Sequence, residues 1–355
     1  MRKQYGLSLV ELLISITLGL ILIAGVTQML LGTKLTFNSQ KALSRVQENG
    51  RLAIEFMSKD IRMAGYIGCT SRTGLIGAVL DSTLNNSSNF ENDFLTGVQG
   101  YTISSITDPD YTMLSAAGIG IAPKVGTDVI ALSGAVGTGS VVETNNDADN
   151  VFADFANTVT DGCGAGKDSY DGMCGGDVLA VTNCVQGRIF QATDINNPSG
   201  VILHAGSGTP GNAIASWAAT DPVFGPGSEI TRMEKKVYYV KDNGAGEPGL
   251  WLWVNGVSSE LIEGVENIAI TYGRDTTAPK DDVPDVYEDA STIDAANAWD
   301  RVLSVRVELL VRTPEATLNE DQSISFPMGS TVTKYTDRRL RQVFTSTVGV
   351  RSRLQ

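Results

Sequence analysis

An uncharged run of 22 residues near the N-terminus, Leu12–Thr33, constrains this chain more than any other feature. A helix of that length is about 33 Å long, enough to cross the hydrocarbon core of a bilayer, which is roughly 30 Å thick. Arg2 and Lys3 precede the run, and positive residues that flank a membrane span stay on the cytoplasmic side. We therefore expect a cytoplasmic N-terminal tail and an exported chain from Lys34 onward.

The run fits a signal anchor better than a cleaved secretory signal peptide. A secretory signal is shorter and ends in a small-residue site of the A-x-A kind, which residues 28–33 lack. Glu11, at the edge of the run, fits neither interpretation, because a carboxylate at the centre of a membrane helix is unfavourable by about 2.5–3.5 kcal/mol. Glu11 could lie in the headgroup zone, or it could have a role in assembly.

The residues around Glu11 carry a family resemblance. The string GLSLVELLIS, residues 6–15, resembles the class III signal of type IV prepilins, with Leu7 where that family usually has Phe. The resemblance implies a leader of residues 1–6, cleavage by the prepilin peptidase between Gly6 and Leu7, and N-methylation of Leu7. It also implies that Glu11 neutralises the new amine of a neighbouring subunit, since opposite charges attract strongly in an apolar bundle.

Beyond the membrane run, apolar residues recur at helical spacing with charged residues between them. This period predicts an amphipathic continuation of the same helix, with Gly65 as a candidate C-terminal stop. We predict one helix over residues 7–64, with a transmembrane half at 7–33 and an amphipathic half at 34–64. The apolar positions of the second half are Leu35, Leu43, Val46, Ile54, Met57 and Ile61.

The chain also resembles the PilW family of minor pilins in two places. Residues 47–69 are similar to the segment that joins that family's helix to its head. The stretches similar to the family's final sheet are 237–240, 250–253, 261–268 and 340–350. Between about residues 75 and 225 the resemblance is weak or absent.

Strand patterns support a β-rich head. Val305, Val307, Leu309 and Val311 share one face and the charged Arg306, Glu308 and Arg312 share the other, as in a strand with one buried face. We predict an α+β fold in which the long pilin helix packs on an antiparallel β-sheet head, residues 65–355. Residues 75–225 are rich in Gly, Ser, Thr and Asn, and we expect a large loop-rich insertion there with strands of its own.

Composition excludes several classes of function. A net charge of −13 argues against a general nucleic-acid-binding surface, which needs a basic face. Neither a G-x-S-x-G elbow nor a phosphate-binding P-loop occurs. The single histidine, His204, lies in a Gly- and Ser-rich stretch and is expected at the surface. We therefore predict no enzymatic activity and no cofactor.

Four cysteines follow the membrane run: Cys69, Cys163, Cys174 and Cys184. An exported chain meets an oxidising periplasm, so two disulfides are the default expectation. Cys163 and Cys174 flank a Gly-rich loop, which favours a local bridge and leaves Cys69 and Cys184 as the second pair. Free thiols and other pairings stay open.

An acid-rich stretch begins at Asp275, with seven carboxylates up to Asp294. Calcium prefers such oxygen-rich loops, and Asp281, Asp282 and Asp285 are the first candidates for its ligands. EF-hand spacing is absent, and a solvated acidic loop is the simpler interpretation.

The last 22 residues carry the opposite charge, with six basic residues against one acid, Asp337. This asymmetry predicts a sheet with a basic polar face, a docking face for an acidic subunit, or a local DNA-contact strip. The basic residues are Lys334, Arg338, Arg339, Arg341, Arg351 and Arg353.

The family resemblance implies a structural subunit that primes type IV pilus assembly and sits at or near the pilus tip. Such a protein spans the inner membrane once, with a periplasmic head, and then reaches the cell surface on the pilus. Its expected partners are the membrane, other minor pilins, the major pilin, the prepilin peptidase, the assembly platform and a large tip adhesin; nucleic acid is not expected.

Two alternatives stay open for the function. One is a J-class pseudopilin of type II secretion, which shares the same architecture. The other is a tip adhesin or DNA-binding module that acts through residues 75–225. The sequence does not decide whether the pilus serves motility, adhesion or DNA uptake.

Overall fold

The structure, a computed structural model, describes residues 8–68, 79–154, 163, 169–170, 172–196 and 199–353. Its helices are α1 (Leu9–Met63), α2 (Pro109–Leu114) and α3 (Ala290–Ala295), with 3-10 turns at Trp299–Arg301 and Arg351–Arg353. Its strands are β1 (Val79–Ser82), β2 (Val98–Thr102), β3 (Asp128–Thr144), β4 (Asn150–Ala153), β5 (Ser169–Tyr170), β6 (Met173–Cys174), β7 (Val178–Thr182), β8 (Gln186–Gln191), β9 (Asp194–Asn196), β10 (Val201–Leu203), β11 (Glu229–Asp242), β12 (Pro248–Val254), β13 (Val257–Glu263), β14 (Val265–Arg274), β15 (Val286–Glu288), β16 (Val302–Ala316), β17 (Gln322–Ser325), β18 (Val332–Tyr335) and β19 (Arg339–Gly349). One long helix followed by strands is the predicted α+β class.

The chain divides into two compact units. Unit 1 comprises residues 1–48 and 312–342, and unit 2 comprises residues 49–311 and 343–355. Three elements, α1, β16 and β19, contribute residues to both units.

The helix α1 runs for 55 residues and ends two residues beyond its last buried apolar side chain, Ile61. Gly65 follows with φ +70°, in the left-handed region that favours glycine and ends helices. The amide of Gly65 then donates to the Ser133 carbonyl over 2.7 Å, so the chain leaves the helix along β3. The predicted single helix and its glycine stop are confirmed.

The larger sheet is organised around β11, which forms antiparallel ladders with β3, β7 and β12. Among the described residues this sheet has eleven strands, and its main path runs β1-β8-β7-β11-β3-β4-β10-β9. β2 pairs with β3, β13 pairs with β12, and β1 pairs with β8 in parallel. The middle of the chain therefore shares one sheet with β11 through β1 to β4 and β7 to β10, while β5 and β6 pair separately with each other.

The smaller sheet has the order β15-β14-β16-β19 in the described part of the chain. In β16, Val305, Val307, Leu309 and Val311 are buried and the charged Arg306, Glu308 and Arg312 are half-buried, as the alternation predicts. Leu310, on the second face, is buried as well. The C-terminal strands do not form one final sheet, because β11 and β12 belong to the larger sheet and β14, β16 and β19 to the smaller. Gly264, with φ +81°, lies at the change of sheet.

Side chains of β11 enter the core of unit 2 on both sides of a bulge between Ile230 and Arg232. Ile230 packs in a cluster with Phe190 and Trp217, Met233 in a second with Ile67 and Ile189, and Val237 and Tyr239 in a third with Trp253. On its other face, β11 meets the end of α1, where Asp60 accepts hydrogen bonds from Lys236 Nζ at 2.9 Å and from the Tyr238 hydroxyl at 2.5 Å.

Candidate membrane-anchoring and assembly segment

The first half of α1 is an apolar rod that the rest of the chain does not cover. Of the residues whose burial is described between Ser8 and Asn38, all but the half-buried Gly19 are exposed. Large side chains such as Leu9 and Met29 have exposed fractions of 75% and 76%. Among the described residues, α1 is the one helix long and apolar enough to cross a membrane, judged by length and composition. Apolar surface on this scale requires lipid or a protein partner.

Hydroxyl groups within this rod are satisfied by the helix itself. Ser15 Oγ donates to the Glu11 carbonyl at 2.7 Å, Thr27 Oγ1 to Ile23 at 2.8 Å and Thr33 Oγ1 to Met29 at 2.9 Å. In lipid, where water cannot supply partners, such internal bonds remove most of the penalty for a polar side chain. The hydroxyls are therefore compatible with a membrane span.

Glu11 is the acidic residue of the first helical turn, and its side chain is exposed. A carboxylate there is favoured by the positive end of the helix dipole, near unpaired backbone N–H groups. Gly6 and Leu7, the predicted cleavage site and methylated residue, lie outside the described residues. The role of Glu11 in subunit pairing stays a prediction.

Comparison with protein families identifies both ends of the chain. Residues 1–27 match the model of the prokaryotic N-terminal methylation motif, and residues 237–352 match that of type IV pilus-assembly protein W, PilW. The chain is type IV pilin-like, with a PilW region. The resemblance to the prepilin signal and the C-terminal resemblance to PilW are thereby confirmed, while the similarity of residues 47–69 lies outside the matched ranges.

The PilW region begins within β11 and includes every strand of the smaller sheet. No curated protein and no solved structure matches the chain. Pilin-family domains build and assemble filaments and are not enzymes. The methylation motif and the uncovered apolar helix together indicate membrane anchoring and entry into a pilus.

The disulfide expected of an exported head is present. Cys163 and Cys174 are bonded, with their Cα atoms 5.6 Å apart, and the Asp177 carboxylate accepts the Cys174 amide at 2.8 Å. Cys184 is also disulfide-bonded and lies in the turn between β7 and β8 with φ +68°. Its expected partner, Cys69, lies outside the described residues.

Carboxylates of the acid-rich stretch accept hydrogen bonds from amides and hydroxyls of the same stretch. The buried Asp275 carboxylate accepts hydrogen bonds from the Thr277 hydroxyl and from the amides of Asp281 and Asp282, which lower its pKa. Asp285 accepts both the amide and the hydroxyl of Thr276. Among the described residues, no three acidic, His or Cys side chains converge as metal ligands, so the structure does not bring the calcium candidates together.

The basic stretch at the C-terminus is partly internal. Arg341 is 4% exposed and donates to both Asp337 carboxylate oxygens at 2.6 and 2.7 Å, which lowers the pKa of Asp337 to about 2. Arg353 donates to the carbonyl oxygens of Trp299 and Val302. Two of the six cations are therefore engaged within the fold, and the use of the stretch as a basic sheet face, a docking face or a local DNA-contact strip stays a prediction.

His204 is fully buried, so its predicted surface position is wrong. Its ring stacks on Trp217 with centroids 4.0 Å apart and an interplanar angle of 15°, and Phe190 packs edge-on at 5.6 Å. Burial lowers the pKa of His204, because the charged imidazolium is disfavoured away from water. The Gly- and Ser-rich composition around His204 gave no indication of this aromatic cluster, because Phe190 and Trp217 come from other segments of the chain.

Lys235 is a buried cation that the composition did not reveal. It is 2% exposed, donates to the Phe90 carbonyl, and its ammonium lies 4.8 Å from the centre of the Phe90 ring. Burial lowers its pKa to about 8. A signal was present, since Lys235 falls between Met233 and Val237 at the period-two spacing of one strand face.

Proposed function

We propose that this chain is a minor pilin that primes type IV pilus assembly. The observation that carries the proposal is the continuity of α1, whose uncovered apolar half leads without a break into a half that packs in the head. A subunit of this construction can be held by lipid before assembly and by other apolar helices afterwards. The methylation motif and the PilW region support the same role.

Transfer of α1 from lipid to a helix bundle replaces one apolar environment by another. The hydroxyls of the rod keep their hydrogen bonds to the helix backbone in lipid and in a bundle, so they disfavour neither environment. Cleavage after Gly6 and methylation of Leu7 would leave a positively charged N-terminal amine within the helix bundle. The Glu11 carboxylate of one subunit would neutralise the Leu7 amine of its neighbour.

The size of the head favours a position at or near the pilus tip. The middle of the chain enlarges the β11 sheet to eleven strands within the described residues, and a bulky head is difficult to repeat along a tightly packed shaft. On this proposal the partners are other minor pilins, the major pilin, the prepilin peptidase and the assembly platform. A large tip adhesin is a further expected partner.

Deletion of the gene, complemented by the wild-type gene, tests the proposal. Loss of surface pili that the wild-type copy restores supports priming of assembly. Normal pili combined with loss of protein secretion would favour a type II pseudopilin, and normal pili with lost adhesion or DNA uptake would favour a tip binding module. Either of the last two results would overturn the priming role.

A further inference from the structure

The hairpin β17–β18 extends from unit 1 with an uncharged, exposed tip. From Gln322 to Thr333 the sequence has no ionisable residue. Met328 and Val332 at the tip have exposed fractions of 65% and 66%. In the described part of the chain, β17 and β18 pair with each other and with no third strand.

The base of this hairpin is fixed to α1. The amides of Thr317 and Leu318 donate to the Arg338 carbonyl at 2.9 Å, which closes the base. Ser39 Oγ of α1 donates to the Thr317 carbonyl at 3.2 Å. Asn319 lies over the same helical surface, in a cleft lined by Thr36, Ser39, Gln40 and Leu43.

Ser39 is also where coverage of α1 begins. Between Ser8 and Asn38 only Gly19 is partly covered among the residues with described burial, whereas Ser39 and Ala42 are half-buried and Val46 is buried. The hairpin base is therefore the first part of the chain to meet α1 after its uncovered apolar half.

This contact lies close to the expected membrane surface. Ser39 follows Thr33, the last residue of the uncharged run, by six residues, or about 9 Å along a helix. A headgroup layer occupies roughly 5–7 Å on each side of the hydrocarbon core. The exposed Phe37, 64% accessible, falls in that layer, where aromatic side chains are enriched.

We propose that the hairpin tip, residues 326–332, is a second contact with the lipid surface of the membrane that α1 spans. Ten residues separate Leu318 at the base from Met328, so the tip lies at most about 33–36 Å from the base. A tip without charges can enter the interface without the penalty of burying an ion, and its Ser and Thr hydroxyls match headgroup acceptors. The proposal rests on membrane anchoring through α1.

Site-specific fluorescence in nanodiscs tests the proposal. Full-length Met328→Cys and Val332→Cys proteins, each labelled with a polarity-sensitive dye, are placed in nanodiscs of phosphatidylethanolamine and phosphatidylglycerol. We expect a blue shift, loss of quenching by aqueous iodide, and quenching by lipids with a spin label near the headgroup. Val257→Cys, at a valine of unit 2 that is 69% exposed, serves as the matched control and should respond to iodide.

A label at Leu22→Cys separates this inference from the anchoring on which it rests. If the Leu22 label is in the bilayer while iodide quenches the Met328 and Val332 labels as strongly as the Val257 label, the hairpin proposal is wrong and anchoring stands. If the Leu22 label is also in water, anchoring itself fails. Protection of the tip that depends on protein concentration in detergent would show a second copy as the occupant and would also overturn the proposal.

Discussion

The hydroxyl of Tyr238 donates to the carboxylate of Asp60 over 2.5 Å, and this bond joins the end of α1 to the central strand β11. The same carboxylate accepts from Lys236 at 2.9 Å. Asp60 thus accepts hydrogen bonds from two side chains of one strand. It is the acceptor for the hydroxyl of Tyr238, whose side chain is buried. Burial and the neighbouring carboxylate raise the pKa of Tyr238, so it remains a donor at physiological pH.

Replacement of Asp60 by Ala should lower the free energy of unfolding by about 1–3 kcal/mol, because it leaves a buried hydroxyl without an acceptor. Urea unfolding of the detergent-solubilised protein, followed by tryptophan fluorescence, measures the change. Asp242→Ala, which breaks the exposed pair with Lys124 at 3.2 Å, is the control and should change stability by about 0–1 kcal/mol. Equal effects of the two substitutions would contradict this account.

Gly97→Ala should also destabilise the head. A Cβ at Gly97 would lie 2.5 Å from the Cα of Gly65 and 2.8 Å from its nitrogen, and backbone atoms cannot swing aside as a side chain can. We expect a loss of about 1–3 kcal/mol in the same urea assay. Gly244→Ala, where a Cβ meets nothing within 4 Å, should stay within about 0.5 kcal/mol of wild type. An unchanged free energy of unfolding for Gly97→Ala would contradict a close backbone contact between Gly97 and Gly65.

Burial of His204 predicts a pH-dependent stability. Because its pKa is lowered in the folded protein, the unfolded chain binds a proton first as pH falls below about 6.5. The free energy of unfolding should therefore be highest above pH 6.5 and should decline from there toward pH 5.5. His204→Phe, which can keep the stack on Trp217, should show a smaller decline in urea titrations across this range. Parallel curves for the two proteins would refute the assignment.

Burial of Lys235 predicts a pH-dependent free energy of unfolding at alkaline pH. Its folded pKa of about 8 lies below the ordinary lysine value of about 10.4, so the unfolded state holds more protons between these values. Stability should rise with pH from about 8 to 10.4 relative to a Lys235→Met protein. The difference between the two urea-unfolding curves removes the shared contribution of tyrosine ionisation. A constant difference over that interval would show that Lys235 keeps an ordinary pKa.

Glu11→Gln should separate membrane insertion from pilus entry. The substitution leaves the predicted cleavage site at Gly6 and the head unchanged, and it removes an ionisable group from the membrane helix. We expect processed, membrane-bound protein that is depleted from sheared pili, measured by immunoblot of both fractions. Thr17→Val, which removes an internal hydroxyl bond to Ile14, is the control and should reach pili at the wild-type ratio. The same ratio for Glu11→Gln would leave Glu11 without a role in assembly.

The elements that could be predicted from the sequence are those determined by residues close together in the chain. The uncharged run, the helical period and Gly65 define α1 at both ends, and the alternation from Val305 to Val311 defines the buried face of β16. Each of these signals depends on residues within a few positions of one another, so a single sequence contains it.

Long-range pairing could not be foreseen in the same way. Nothing near Asp128 indicates that β3 hydrogen-bonds to β11, about a hundred residues later. The burial of His204 requires Phe190 and Trp217 to converge from separate segments, and its Gly- and Ser-rich surroundings suggested the surface instead. The internal position of Arg353 likewise depends on the carbonyl oxygens of Trp299 and Val302, about fifty residues earlier in the chain.

The pairing of β3 and β7 with β11 has a consequence for genetics. A deletion of residues 75–225 would strip the partner strands from both sides of part of β11, where Ile230 and Arg232 pair with each neighbour. The truncated protein would expose an unpaired strand edge prone to aggregation, and its loss from pili would reveal misfolding rather than a missing binding function. Recognition by this region is better dissected with substitutions at exposed residues such as Val185, Ile214 and Val223, which leave every ladder intact.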